Sequence, residues 1–142
     1  MQNSGFHTIK GYESAKGEQL TNAMEDYLEM ICRHSLKYGF IRINQLSSKL
    51  NVKPPSATKM AALLKENGYI DYEKYGVIKP TKKGWDAGQY LLYRHDILHE
   101  FLCMINNTDD ELEQVEKIEH FFDKNTVYNI EKFINKNKKW FT

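Results

Sequence analysis

Residues 1–20 are polar, contain glycine and show no hydrophobic period, which reads as a mobile arm preceding the folded part of the chain. Beyond it Leu20, Ala23, Met24, Tyr27, Leu28, Ile31 and Leu36 recur at helical spacing. Thr21 or Asn22 can cap the start, Glu25 complements the first turn and Gly39 provides a stop, so a helix is predicted over about 22–37. Ile43, Leu46 and Leu50 suit a helix of two turns. Asn51-Val52-Lys53 makes a brief connector, and Pro54-Pro55 opens a third helix, where the missing N–H groups cost nothing. That helix runs through Ser56, Thr58, Lys59, Met60, Leu63 and Leu64 to Asn67-Gly68. Two short helices joined by a tight turn form a helix-turn-helix unit.

After Gly68 the pattern changes to Tyr69, Ile70, Tyr72, Tyr75, Val77 and Ile78 alternating with polar residues around Gly76, as in a small β-hairpin closed by Pro80. Thr81 then caps a long helix through Trp85, Leu91, Leu92, Ile97, Leu98, Phe101, Leu102 and Ile105. Asp109 and Asp110 start a further helix, Leu112 to Phe122, and Asn125 caps a last one with Val127, Ile130, Phe133 and Ile134 on one face. The predicted fold class is mainly α. A winged helix-turn-helix occupies 21–82 and a helical domain occupies 83–142.

Composition narrows the function classes. The chain has 142 residues, 41% of them hydrophobic, ample for a packed core. Cys32 and Cys103 cannot build a disulfide framework, the first residues lack the apolar run of an export signal, and no segment approaches the roughly 18 apolar residues of a membrane span. A cytoplasmic protein without membrane contact is expected. The net charge of +1 suggests no nucleic-acid partner until its distribution is considered. Residues 42–83 carry nine Lys/Arg against three Asp/Glu, whereas residues 84–131 carry three against eleven. One half is suited to phosphate and the other to cations.

On the basic half, an α-helix fits the major groove with its N-terminal residues at the base edges, which points to Pro55, Ser56, Thr58 and Lys59. Arg42, Lys49, Lys53, Lys65 and, beside the hairpin tip, Lys74 would neutralise phosphates. The plainer reading is a structural helix-turn-helix with ordinary solvated lysines; the hairpin and the charge split favour DNA.

On the acidic half, Glu116, Glu119 and His120 share a helical face by their spacing of three and four, as do Asp26 and Glu29 on the first helix. His95 lies midway along the long helix. Singly, each is an ordinary surface acid or histidine. Together, three helices expected to pack contribute four carboxylates and two imidazoles, a hard, oxygen-rich set suited to Mn²⁺. His99, four after His95, has zinc-chelating spacing but reads better as solvent-facing, and Cys32 reads as a buried core thiol rather than a ligand.

The segments Ala23-Met24-Glu25-Asp26-Tyr27-Leu28-Glu29, Val52-Lys53-Pro54-Pro55-Ser56-Ala57-Thr58-Lys59-Met60, Tyr72-Glu73-Lys74-Tyr75, Tyr93-Arg94-His95 and Val115-Glu116-Lys117-Ile118-Glu119-His120 resemble, in order and over about 22–134, the manganese transport regulator branch of the diphtheria toxin repressor family. The resemblance implies a two-metal site of Asp26, Glu29, His95, Glu116, Glu119 and His120, with Glu29 and Glu119 as bridging carboxylates. It also implies a homodimer held by the helices after the wing, bound to a palindromic double-stranded operator. Iron-sensing members carry sulfur residues where Asp26 and Glu116 stand, so the branch and the preference for Mn²⁺ rest on these two positions, with Fe²⁺, Zn²⁺ or Cd²⁺ able to bind in vitro. The chain departs from the family in its N-terminal arm, in stopping without an SH3-like domain, and in the wing, where Gly76 replaces what is often a basic residue and Pro80 is unusual.

The implied mechanism is a metal that ties the first helix to the dimerisation helices and so sets the spacing of the recognition helices, acting as an allosteric ligand of a repressor of metal-uptake genes. No enzyme activity and no small organic substrate are expected. Two other classes are weighed against it. A carboxylate-bridged di-metal enzyme would need a Glu-x-x-His pair on each of two long helices, which this chain lacks. A metal-free regulator of the MarR type shares the winged helix but leaves the acids and histidines without a purpose.

Overall fold

The computed structural model describes residues 20–141; the arm expected over 1–20 lies, apart from Leu20, outside the described residues. The first helix, α1, spans Asn22–Tyr38. The Thr21 side chain accepts from the Met24 N–H, and Gly39 closes the helix at φ +86°. A strand β1, Ile41–Arg42, follows, then α2 (Ile43–Leu50) and α3 (Pro54–Glu66), with Asn51 in the left-handed region between them. The wing comprises β2 (Ile70–Tyr72), a 3-10 turn (Lys74–Gly76) and β3 (Val77–Pro80). The sheet is antiparallel in the order β1-β3-β2, with Ile41 opposite Ile78 and Tyr72 opposite Ile78 on the other side. β1 is absent from the sequence expectation because two residues carry no detectable alternation; only the pairing of buried Ile41 with β3 creates it.

The wing glycine has a steric reason. Gly76 has φ +75°, and a Cβ there would lie 2.6 Å from Ile43 Cγ2, so a basic residue would push the wing off α2. Lys82–Asn106 forms the 25-residue α4, its first turn capped by Thr81, whose hydroxyl accepts from the Gly84 N–H. Next come α5 (Leu112–Ile118), a 3-10 turn (Glu119–Phe121) and α6 (Lys124–Phe141). Two expectations need correcting. The α-helical geometry predicted to run to Phe122 stops at Ile118, where φ is −110°, and tightens into a 3-10 turn. The cap of the last helix is Asp123, whose Oδ1 accepts from the Thr126 N–H at 2.8 Å, and not Asn125.

The main core gathers Leu28, Ile31, Leu46, Ala61, Leu64, Ile70, Ile78 and Leu91, all at most 2% exposed. Leu91 belongs to α4, so the first half of that helix, beyond the expected boundary at 82/83, packs within the helix-turn-helix core. The close approach depends on small residues. Cβ atoms built at Gly84 and Gly88 would fall 2.0 Å from the Tyr69 carbonyl oxygen and 2.3 Å from Cys32 Sγ. Two smaller cores, Ile97–Val127–Ile134 and Leu98–Leu102–Val115, join the second half of α4 to α6 and α5. Leu36, counted in the apolar stripe of α1, is instead 66% exposed; the buried face runs through Ile31, Cys32 and Ser35.

Candidate metal centre

Asp26 and Glu29 stand one turn apart on α1, on the side where it meets α4. His95 lies on α4, two turns beyond Gly88, and the 3-10 turn carries buried Glu119 and half-buried His120. The fold brings these five together in two groups. Ligand atoms of Asp26, Glu119 and His120 lie within 4.8 Å of one another, and so do those of Glu29, His95 and Glu119. Glu119, 1% exposed, belongs to both. Glu116 is exposed and stands outside both groups. It sits on α5, before the change of helical geometry at Ile118 separates its face from that of Glu119 and His120.

The side chains of the cluster are hydrogen-bonded to one another. His95 Nδ1 lies 3.3 Å from Glu119 Oε1 and 3.6 Å from Glu29 Oε2. His120 Nδ1 donates to Glu25 Oε1 at 2.8 Å, while Nε2 lies 3.0 Å from Asp26 Oδ1. Burial works against a charge on His120, but hydrogen bonds and charge from Asp26 and Glu25 outweigh it and raise its pKa to about 9. The hydrogen bond to Glu119 likewise raises the pKa of His95, against its burial. Burial, with the charge of Glu119 added, raises Glu29 to about 7. Acceptors converge here in threes, and oxygen with imidazole nitrogen is a donor set that fits a divalent cation.

Two residues of this cluster, Glu25 and Arg94, were not singled out from sequence. Glu25 Oε1 accepts from His120 Nδ1 and, at 3.2 Å, from Arg94 Nη2. Arg94 is 2% exposed and its Nε has no hydrogen-bond partner. A carboxylate on Nδ1 fixes the orientation of a histidine ring, here with Nε2 toward Asp26. The signal was present: Arg94 and His95 interrupt the buried stripe Leu91, Leu98, Leu102, and a charge on an apolar stripe requires a partner. A cleft of about 490 Å³, lined in part by Glu25, Tyr90, Arg94, His120 and Lys124, leads from the surface to this cluster.

The remaining sequence candidates have simpler roles. Cys32 is fully buried, with its Sγ 3.7 Å from the Gly84 carbonyl oxygen, and burial pushes its thiol pKa up to about 12. His99 Nε2 accepts from the Glu111 N–H at 3.2 Å and so braces the start of α5. In the helix-turn-helix, α3 buries Ala57, Ala61 and Leu64 and exposes Pro55, Ser56, Thr58 and Lys59. Arg42 is exposed, and its Nη1 donates to the Tyr75 carbonyl oxygen at 3.4 Å, tying the wing to the start of α2. The side chain of Lys74 lies outside the described residues. Tyr75, at the wing tip with φ +68°, is 91% exposed.

Comparison with known proteins bears on this arrangement. Residues 19–78 match the family model described as iron dependent repressor, N-terminal DNA binding domain. The chain is 38% identical over 116 residues to the HTH-type transcriptional regulator MntR of Oceanobacillus iheyensis, covering 81% of this chain and 79% of that protein. The chain belongs to the manganese transport regulator branch of the diphtheria toxin repressor family. It is also 37% identical to MntR of Bacillus subtilis over 111 residues, 78% of each chain. Among solved structures, that of the manganese regulator SloR superposes with a TM-score of 0.67 at 27% identity, covering 79% of this chain. This chain spans about half, 53%, of the length of that structure. As a member of the family, the chain is a metal-dependent, DNA-binding transcriptional regulator of winged-helix architecture and not an enzyme, which removes the di-metal enzyme reading. No described helix is long and apolar enough to cross a membrane.

Proposed function

We propose that the chain is a manganese-responsive repressor of metal-uptake genes in the cytoplasm, binding two Mn²⁺ per subunit through Asp26, Glu29, His95, Glu116, Glu119 and His120. The observation that carries the proposal is the sharing of buried Glu119 between two ligand groups drawn from three elements. Glu116, one turn before Glu119 and outside both groups, would join the set from the solvent side. Fe²⁺, Zn²⁺ and Cd²⁺ can enter the same donors in vitro, because manganese is the weakest binder of the divalent series and selectivity rests on the hard donor set.

Glycine contacts hold α1 to α4 without any ion, so His95 is already placed against Glu29. Glu119 and His120 arrive from a short 3-10 turn that faces three carboxylates, Glu25, Asp26 and Glu29. A divalent cation held by these residues would supply positive charge in place of the protons that His120 and Glu29 hold. Asp26 and Glu29 would then hold the turn, and with it α5, against the DNA-binding unit. Ile105, Leu112, Phe121, Tyr128 and Phe133 leave apolar area exposed on the second unit, between 45% and 48% each, which suits a homodimer interface. A dimer with its second unit held in this way presents both copies of α3 at one fixed separation. Pro55, Ser56, Thr58 and Lys59 meet the major groove of a palindromic operator while Arg42 and Lys74 meet its phosphates. Metal and DNA must then tighten each other's binding equally.

The test is electrophoretic mobility of promoter DNA from manganese-uptake genes, in Mn²⁺ and in chelator, with wild type and Glu119→Gln. Wild type should retard the DNA in Mn²⁺ alone, and the variant should not retard it although its circular dichroism is unchanged. Retardation that persists in chelator, or in the variant, would refute the proposal and favour a metal-free regulator.

A further inference from the structure

Among the described residues three buried side-chain polar atoms have no hydrogen-bond partner, and two of them, Tyr90 Oη and Arg94 Nε, belong to residues that line the cleft beside His120. A buried polar atom left unmatched costs free energy comparable to a lost hydrogen bond, so two at one cleft call for a partner from outside the chain. Both are donors. The guanidinium Nε carries a hydrogen and accepts nothing, and burial raises the Tyr90 pKa, so the hydroxyl keeps its proton. A third donor stands with them. Lys124 Nζ lies 4.9 Å from the centroid of the Tyr90 ring, with Arg94 Cζ 5.9 Å from the same centroid. Lys124 is exposed and forms no ion pair among the described residues.

The two carboxylates at the cleft are already engaged. Glu25 accepts from Arg94 and His120, and Asp123 caps α6 by accepting from the Thr126 N–H. The cleft therefore lacks an acceptor, and the acceptor that best answers an arginine and a lysine is an anion. Glu25 and Asp123 would repel a second negative charge, which limits the ligand to a monoanion. Leu20, Ala87, Leu91 and Phe122 make much of the remaining wall apolar, so a small inorganic ion would leave most of the cleft of about 490 Å³ unfilled. A carboxylate on a compact apolar body matches both parts of the lining. Lys124 is exposed and Tyr90 half-buried, so both side chains can turn to let it reach the shielded donors.

We propose that this cleft is a binding site for a small organic monocarboxylate, held by Tyr90 Oη, Arg94 Nε and Lys124 Nζ with its apolar body against Leu91 and Phe122. Because Arg94 also holds Glu25, and Glu25 the His120 ring, an occupant reaches the metal cluster through two hydrogen bonds. The site does not depend on the metal reading, since none of its three donors belongs to a metal ligand.

The experiment is a titration of the isotope-labelled full chain with benzoate, followed by the nuclear magnetic resonance signal of the Arg94 Nε–H. Chelator is present throughout, so that the carboxylate has no ion to ligate. Benzoate should shift the Arg94 signal saturably, with a Kd in the millimolar range or tighter. Benzamide has the body without the charge, and acetate and inorganic phosphate have the charge without the body; each should bind weaker by roughly threefold or more. Tyr90→Phe and Lys124→Gln should each weaken benzoate binding by roughly two- to tenfold. Tyr90→Phe should also leave Tm no lower than that of wild type, because the hydroxyl it removes has no partner. A lower Tm would mean that the hydroxyl is satisfied within the chain, and that would overturn the inference. So would the absence of a saturable shift with benzoate, equal binding of any of the three controls, or unchanged benzoate affinity in either variant.

Discussion

Replacing Gly88 by alanine tests whether helix packing sets the spacing of the metal donors. Helix propensity alone favours the change by about 1 kcal/mol, since glycine is a poor helix former. The structure predicts the opposite sign. The added Cβ would lie 2.3 Å from Cys32 Sγ and 3.0 Å from Cys32 Cβ, against an ordinary contact of about 3.5–4.0 Å. Cys32 is fully buried, with its sulfur against the Gly84 carbonyl, so it has nowhere to turn and the helices must separate. Overpacking costs about 1–3 kcal/mol, and an approach of 2.3 Å to a sulfur that cannot turn puts this case at about 2–3 kcal/mol, leaving a net loss of about 1–2 kcal/mol after the propensity gain. For a chain of this size that lowers Tm by roughly 3–8 °C. Cys32 is one turn from Glu29 and Gly88 two turns from His95, so the separation also opens the 3.6 Å approach of these two donors. Thermal unfolding of the metal-free protein measures the first effect, and a Mn²⁺ titration the second. In a double-mutant cycle with Cys32→Ala, the space left by the sulfur should return about 1 kcal/mol or more of the loss. A Gly88→Ala protein as stable as wild type, with unchanged metal binding, would show that α1 and α4 adjust freely and that their contact does not position the site.

Glu25→Gln removes the charge that His120 Nδ1 and buried Arg94 share, and it should weaken Mn²⁺ binding about 10- to 100-fold while lowering Tm, as read by metal titration and calorimetry. Unchanged affinity would end its role as a positioning residue. Metal uptake should release protons, because His120 with a pKa of about 9 and Glu29 at about 7 hold protons that the ion must displace. The same shifts fix the sign for the metal-free protein. His120 is raised above its ordinary 6.5, so its contribution to stability is complete below that pH and is lost as pH rises through about 9. Glu29 is raised from 4.5, so its cost to folding grows between there and about 7. Tm of the metal-free protein should therefore fall between pH 5 and 9 while Mn²⁺ affinity rises. Calorimetry in two buffers of different ionisation enthalpy checks the proton count, and an enthalpy independent of buffer would contradict it.

Local signals carried most of the element boundaries. Thr21, Gly39, Pro54 and Thr81 act through bonds and dihedral preferences that span a few residues, and the helices start and stop where these residues place them. The donors on α1 and α4 were legible for the same reason, since spacing on a helix is a local property. Signals failed where the deciding partner is distant in sequence. β1 exists because Ile41 finds Ile78, and Leu36 is exposed because the stripe of α1 faces α4 through Cys32 instead. The end of α5 at Ile118 is also beyond local pattern, although it decides which acids converge.

The residues alone therefore determined a winged helix with a helical second unit, an electrostatic division between them, and a supply of hard donors on three segments. Only the tertiary structure decided how those donors combine. It grouped them in two sets around Glu119, left Glu116 outside, placed Glu25 and Arg94 behind His120, and set Arg33 on Glu29. The physical reason is range. Helix caps and periodicity act over a turn or two, whereas convergence of side chains from α1, α4 and a 3-10 turn depends on how closely α1 and α4 pass, and Gly88, facing Cys32, governs that distance.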